Sequence, residues 1–240
     1  MNNSYSPSIR FLRNTLVLAT AFAILALIAL SGLASASTPS TTAVTSITVG
    51  SGPLGVAVSP DGSSVWVTNQ SAGTVSRIAT SNNAVTSITV GAVPQFVAVS
   101  PDGSSVWVTN GGDGTVSRIA TSNNAVTPIT VGSNPYGVAV SPDGSSVWVA
   151  NHGGTVSRIA TSDNAVTPIS VGAGPEFVAV SPDGLSVWVT NYNDGTVSRI
   201  ATSDNTVTSI TVGSGPLGVA VSPDGSSVWV TNQSAGTVSR

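Results

Sequence analysis

From residue 43 onward, short apolar runs alternate with clusters of Gly, Pro, Ser, Asn and Asp, and the pattern returns every 40 or 41 residues. The first full unit holds four such runs: "GVAVS" (55–59), "SVWVT" (64–68), "TVSRIAT" (74–80) and "AVTSITV" (84–90). β-Branched residues dominate them and turn formers bound them, which predicts strands. No stretch repeats apolar residues at a helical period. In "SVWVT", Val65 and Val67 point one way and Trp66 the other, so both faces of the strand are apolar. That predicts a sheet covered on both sides, since a strand with one wet face alternates more cleanly. The first two runs are joined by Pro60-Asp61-Gly62, where Pro presets φ, Asp suits the next position and Gly accepts a left-handed backbone.

The tryptophans at 66, 107, 148, 188 and 229 mark five copies of the unit. Four-stranded meanders of this length, repeated five times, predict an all-β fold, a β-propeller. Residues 43–50 ("AVTSITVG") read as a fourth strand that precedes its unit, and residues 215–240 supply three strands. Pairing the first with the last three would give five blades of four strands in a closed ring, with the N-terminal strand completing the last blade and no exposed edge. Residues 44–77 and 207–240 are identical. This phase fits a part of a larger propeller as well.

Upstream, Arg10 and Arg13 precede the apolar run 15–30, and Ala34-Ser35-Ala36 supplies an A-x-A exit. Residues 1–36 therefore read as a secretory signal peptide and 37–42 as a short Ser/Thr linker, which places the 43–240 propeller outside the cell or in its envelope, with no membrane span after cleavage. Composition narrows the function. Only 7% of residues are charged, Lys is absent and the formal net charge is −3, so no basic surface is available for nucleic acid. With no cysteine, disulfides, thiolate metal sites and Cys nucleophiles are excluded.

The run "SVWVTN…GTVSRIATSNNAVTSITVG…P.GVAVSPDG" resembles the YVTN-type β-propeller repeat family, with Trp where that signature usually has Tyr. The resemblance covers residues 43–240 in all five units. It implies an exported or cell-surface propeller with a binding or envelope role, commonly of more blades, often seven. More distantly, "VWVTN…GTVSRI" is similar to streptogramin lyase propellers. That likeness lies in scaffold residues and carries over no catalytic position.

Catalytic chemistry has few carriers, because His152 is the only His and Glu176 the only Glu. A propeller lyase or hydrolase would have to use these two. Asp113 in "NGGDGT" and Asp194 in "NYNDGT" offer oxygens to Ca²⁺, but Asn-Asp-Gly is also ordinary turn chemistry, and the turn reading is preferred. No metal site and no cofactor is expected. Serine triads lack the Gly-x-Ser-x-Gly elbow. Arg77, Arg118, Arg158, Arg199 and Arg240 recur at one strand position, which spreads them around the blades and suits stacking on Trp or pairing with Asp of a neighbouring blade. Asn69-Gln70-Ser71 and Asn232-Gln233-Ser234 are N-glycosylation sequons.

Differences between units collect in two connections. One precedes the innermost strand ("GSGPLG", "GAVPQF", "GSNPYG", "GAGPEF", "GSGPLG") and the other joins the second and third strands ("NQSAGT", "NGGDGT", "NHGGT", "NYNDGT", "NQSAGT"). Alternate connections of a meander share a face, so one face gathers Gln70, Gln95, Asp113, Tyr136, His152, Glu176, Tyr192, Asp194 and Gln233. Variable loops on a uniform frame are where binding residues sit. The expectation is a non-enzymatic binding scaffold for a protein, glycan or small polar ligand. A propeller lyase or hydrolase and a structural envelope component are the alternatives.

Overall fold

The computed structural model describes residues 44–240, of which Ile47–Arg240 form one unit. The expected signal peptide, the whole 37–42 linker and the first residue of the expected first strand lie outside the described residues. Among those residues there is no helix long and apolar enough to cross a membrane.

Five antiparallel meanders follow one another. The first is β1 (Pro53–Val58), β2 (Ser64–Asn69), β3 (Thr74–Ala79) and β4 (Val85–Thr89), and the second β5 (Pro94–Val99), β6 (Ser105–Asn110), β7 (Thr115–Ala120) and β8 (Val126–Thr130). The third is β9 (Pro135–Val140), β10 (Ser146–Asn151), β11 (Thr155–Ala160) and β12 (Val166–Ser170). The fourth is β13 (Pro175–Val180), β14 (Ser186–Asn191), β15 (Thr196–Ala201) and β16 (Val207–Thr211). The fifth has three strands, β17 (Pro216–Val221), β18 (Val228–Asn232) and β19 (Thr237–Ser239). The first strands β1, β5, β9, β13 and β17 neighbour one another in that order, so they line the inside of a propeller whose blades radiate from them.

The turns form as the sequence predicts. Gly62, Gly103, Gly144, Gly184 and Gly225 all have φ between 70° and 72°. Asp61 accepts from the Ser59 hydroxyl at 2.6 Å and the Ser63 amide at 3.0 Å. The same bonds hold the Asp61, Asp102, Asp143 and Asp224 carboxyls at a pKa of about 2, with the serine hydroxyl the larger cause. These aspartates are turn-builders.

The seams between blades explain the doubly apolar strands. Trp66, Val75 and Ile88 of the first blade pack against Val106, Val108 and Ile119 of the second. Trp107, Val116 and Ile129 meet Val147, Val149 and Ile159 in the same way. Each Trp carries the arginine paired to it across the ladder, as expected: Arg77, Arg118 and Arg158 lie 5.0 Å from their indole centroids. The partner in the next blade, however, is not Asp. Nη1 of Arg77 donates to the Thr121 carbonyl and Asn124 Oδ1, that of Arg118 to Thr161 and Asn164, and that of Arg158 to Thr202 and Asn205. The Asn stands in the left-handed region (φ 60–62°), which aims its side chain back across the seam.

One expectation changes. Residues 44–49 form no strand, and the fifth sheet stays three-stranded, so the closing pair is not made. The faces that closure would bury are open, with Val56 66% and Val58 58% exposed on the first blade and Trp229 46% exposed on the fifth. The sequence shows what would pair, but the rotation summed over successive seams decides whether the ends meet. The asparagines of the two sequons, Asn69 and Asn232, are buried. Their amide nitrogens donate to Thr74 and Ser76, and to Thr237 and Ser239, locking each β-hairpin.

Candidate functional site

The two variable connections meet on one face through the backbone. The Gln70, His152, Tyr192 and Gln233 amides donate to the carbonyls of Gly52, Asn134, Gly174 and Gly215, at 2.7–3.0 Å, within their own blades. The other two connections meet on the opposite face, where the Thr80 amide donates to the Ser63 carbonyl.

On the loop face, the residue after the strand-ending Asn reaches the neighbouring blade in the first, third and fourth blades. His152 of the third blade places Nδ1 3.1 Å from Glu176 Oε1 at the start of β13. Gln70 Nε2 donates to Gln95 Oε1 at 3.0 Å between the first and second blades. Tyr192 donates from its hydroxyl to Gln233 Oε1 at 3.2 Å between the fourth and fifth. Asp113 and Asp194 are placed apart from these links. Each carboxylate accepts from a loop amide, of Ala92 and of Ala173, and so fastens the two connections of its own blade together.

Tyr136 is half-buried at the start of β9 and closes an aromatic triad that the sequence reasoning passed over. Its ring lies 4.9 Å from Phe96 and 5.6 Å from Phe177, which are 5.0 Å from each other, all edge to face. A signal for the phenylalanines was present in the quoted loops. The third residue of the inner strand is Gly in three blades and Phe in the second and fourth. Gly at that position lets the next blade approach, since a Cβ on Gly137 would stand 2.6 Å from the Glu176 carbonyl oxygen.

The third blade differs in one further way. Thr68 Oγ1 accepts from the Gly55 amide and donates to the Gln95 carbonyl of the next blade, and Thr109 and Thr190 make the equivalent bridges. In the third blade Ala150 stands there, fully buried, so the seam beneath Glu176 has no bridging hydroxyl. The His152–Glu176 pair therefore spans the seam that lacks it.

Burial raises the Glu176 carboxyl above its ordinary value, and the adjacent imidazole opposes that rise. The Tyr136 phenol is raised too, first by burial and then by the Glu176 charge. The result is a polar pair on an apolar aromatic floor. Among the described residues no three His, Cys, Asp or Glu side chains gather to hold a metal ion, so the groups present do not make up a metal ligand set. A cavity of ≈ 730 Å³ lies elsewhere, in the seam of the fourth and fifth blades beside Trp188, Ile210 and Arg240.

A radial array of four-stranded meanders with one variable loop face defines a β-propeller. The chain belongs to the virginiamycin B lyase family, whose sequence profile matches residues 39–240. This is the family to which the more distant sequence resemblance pointed. Among solved structures it is similar to hydrazine synthase of Kuenenia stuttgartiensis, with 29% identity and a TM-score of 0.71 over 79% of this chain and 58% of that one. It therefore spans less than two thirds of that relative. It shares its fold with a streptogramin B lyase at 19% identity (TM-score 0.66, 79% of this chain and 68% of that one). The same holds for a functionally unknown protein of Desulfotomaculum acetoxidans DSM 771 at 21% identity (TM-score 0.68, 80% of this chain and 70% of that one). No curated protein matches.

Proposed function

We propose that this propeller is an exported binding protein whose ligand seats on the loop face over the third and fourth blades. The observation that carries the reading is the His152–Glu176 pair, made between adjacent blades beside Tyr136 on an otherwise repeated frame. A carboxylate 15% exposed and an imidazole 38% exposed offer an acceptor and an exchangeable proton to a ligand. The edges of Phe96, Tyr136 and Phe177 accept its apolar part. This chemistry suits a compact ligand with one apolar surface and one hydrogen-bond donor.

A second reading, proton transfer in a lyase reaction, draws on the same pair and on the family. His152, oriented through Nδ1 by Glu176, has Nε2 as the atom that takes or gives the proton. Isothermal titration with streptogramin B, followed by chromatography of the mixture, separates the two. Binding that weakens tenfold or more in Glu176→Gln, without consumption of the compound, supports the binding protein. Consumption lost in His152→Ala supports the lyase. A titration without heat, in a chain shown to be folded, removes this ligand class from both.

A further inference from the structure

Three seams of the loop face are bridged by the side chain that follows the strand-ending Asn, namely Gln70, His152 and Tyr192. In the second blade that residue is Gly111, so the seam between the second and third blades has no such bridge. A Cβ added to Gly111 would stand 3.0 Å from Gln95 Nε2 and 3.0 Å from Asn134 Oδ1 of the third blade. One amide donor and one amide acceptor therefore converge on the space above this glycine.

The scaffold uses neither atom. Gln95 is only 8% exposed and its Oε1 accepts from Gln70, yet among the described residues its Nε2 donates to no acceptor. A donor on so buried a side chain is costly to leave open, which points to an acceptor supplied from outside. Asn134 Oδ1 likewise takes no donor among the described residues. Val93 borders the same space, its carbonyl accepting from the Gly111 amide at 3.0 Å. It is exposed and holds φ at 55°, where the other blades have Gly52, Asn134, Gly174 and Gly215. A β-branched residue in the left-handed region is strained, and such strain gathers at ligand clamps.

We propose that the loop face at this seam is a slot for an amide whose N–H and C=O share one edge, a primary carboxamide or a lactam on an apolar body. Gln95 Nε2 donates to the ligand's carbonyl, Asn134 Oδ1 accepts from its N–H, and Val93 and Tyr136 flank the apolar part. The distances select that edge. The two protein atoms are at most twice 3.0 Å apart. A trans peptide carries its N–H and C=O on opposite sides, so its partners are separated by two hydrogen bonds of about 2.9 Å and the peptide's own width. That exceeds the span. A carboxylate fits the span but sets a negative oxygen against Asn134 Oδ1. The slot lies one seam away from the His152–Glu176 pair and does not depend on it.

An amide chemical-shift titration of the full chain with benzamide tests this, with benzoate and N-methylbenzamide as controls of similar shape. Benzamide is expected to move the Gly111 backbone amide and the Gln95 side-chain amide saturably. Each control, lacking one of the two hydrogen bonds, is expected to bind at least tenfold more weakly. Asn134→Gly removes the acceptor and installs the residue that three other blades carry there, and Gln95→Leu removes the donor and installs that of the first and fifth. Circular dichroism and melting temperature check that both fold like the parent, and each is expected to weaken benzamide at least tenfold. Gly111→Gln, which supplies the first blade's side chain, is expected to fill the slot and abolish the response. No response to benzamide, equal affinity for either control, or unchanged binding in folded Asn134→Gly overturns the proposal.

Discussion

Replacing Trp107 by Ala removes the largest side chain from the seam of the second and third blades. The indole is fully buried against Val147, Val149 and Ile159, and Arg118 stacks on its other side at 5.0 Å. Truncating a buried Trp leaves a cavity that rigid sheets cannot refill, at a cost of about 3–5 kcal/mol. Losing the cation–π contact is part of that cost, roughly 0.5–2 kcal/mol. The same substitution at Trp229, 46% exposed, removes a ring already half in water and should cost about 1–2 kcal/mol. A third variant separates packing from polarity. Nε1 of Trp107 is buried without a partner, so Trp107→Phe keeps much of the ring volume while deleting an unpaired donor, and should cost under about 2 kcal/mol. Urea unfolding followed by far-UV circular dichroism gives these differences from midpoints at a common slope. Equal losses at Trp107 and Trp229 would refute the claim that the seams, above the individual sheets, hold the propeller together.

Arg118→Lys keeps the charge but loses the planar donor that reaches Thr161 and Asn164; it should cost about 1–2 kcal/mol. Arg199→Lys should cost less in the same unfolding assay, since among the described residues Arg199 has only Ser186 as acceptor. Ala150→Thr restores to the third blade the bridge made by Thr68, Thr109 and Thr190; it should raise stability by about 0.5–1.5 kcal/mol. The turn aspartates set the acid limit. Their folded pKa of about 2 is below the ordinary carboxylate value of 3.8, so their stabilisation is complete above the unfolded value and is lost as pH falls toward 2. Melting temperature should therefore drop across that window, and Asp102→Asn should flatten the drop; an unchanged slope would dissociate the turns from acid unfolding.

The strands, turns and Trp seams were legible because each depends on residues close in sequence. "SPDG" fixes its own turn, and alternation of Val and Trp fixes two apolar faces. Relations between blades were less legible. The arginine partner is an Asn rather than an Asp because a left-handed loop 46–47 residues away presents it. The closing pair of 43–50 with the last blade depends on a sum of seam rotations that no local pattern encodes. Within the candidate site, His152 and Glu176 were visible as rare residues in facing loops. Their pairing across the seam follows only from the packing of two adjacent blades, which brings Nδ1 and Oε1 to 3.1 Å. Asp113 and Asp194 read as turn residues in preference to ligands, and the amides of Ala92 and Ala173 at their oxygens show what those turns hold. Phe96 and Phe177 went unremarked because an aromatic beside Gly-rich loops looks like ordinary core.

The most direct measurement is an amide chemical-shift map of the folded chain titrated with streptogramin B. The account predicts perturbations centred on Tyr136, His152 and Glu176 and fading toward Gln70 and Gln233, with the "SPDG" turns unmoved. Shifts centred on those turns, or on the cavity beside Trp188 and Arg240, would contradict it.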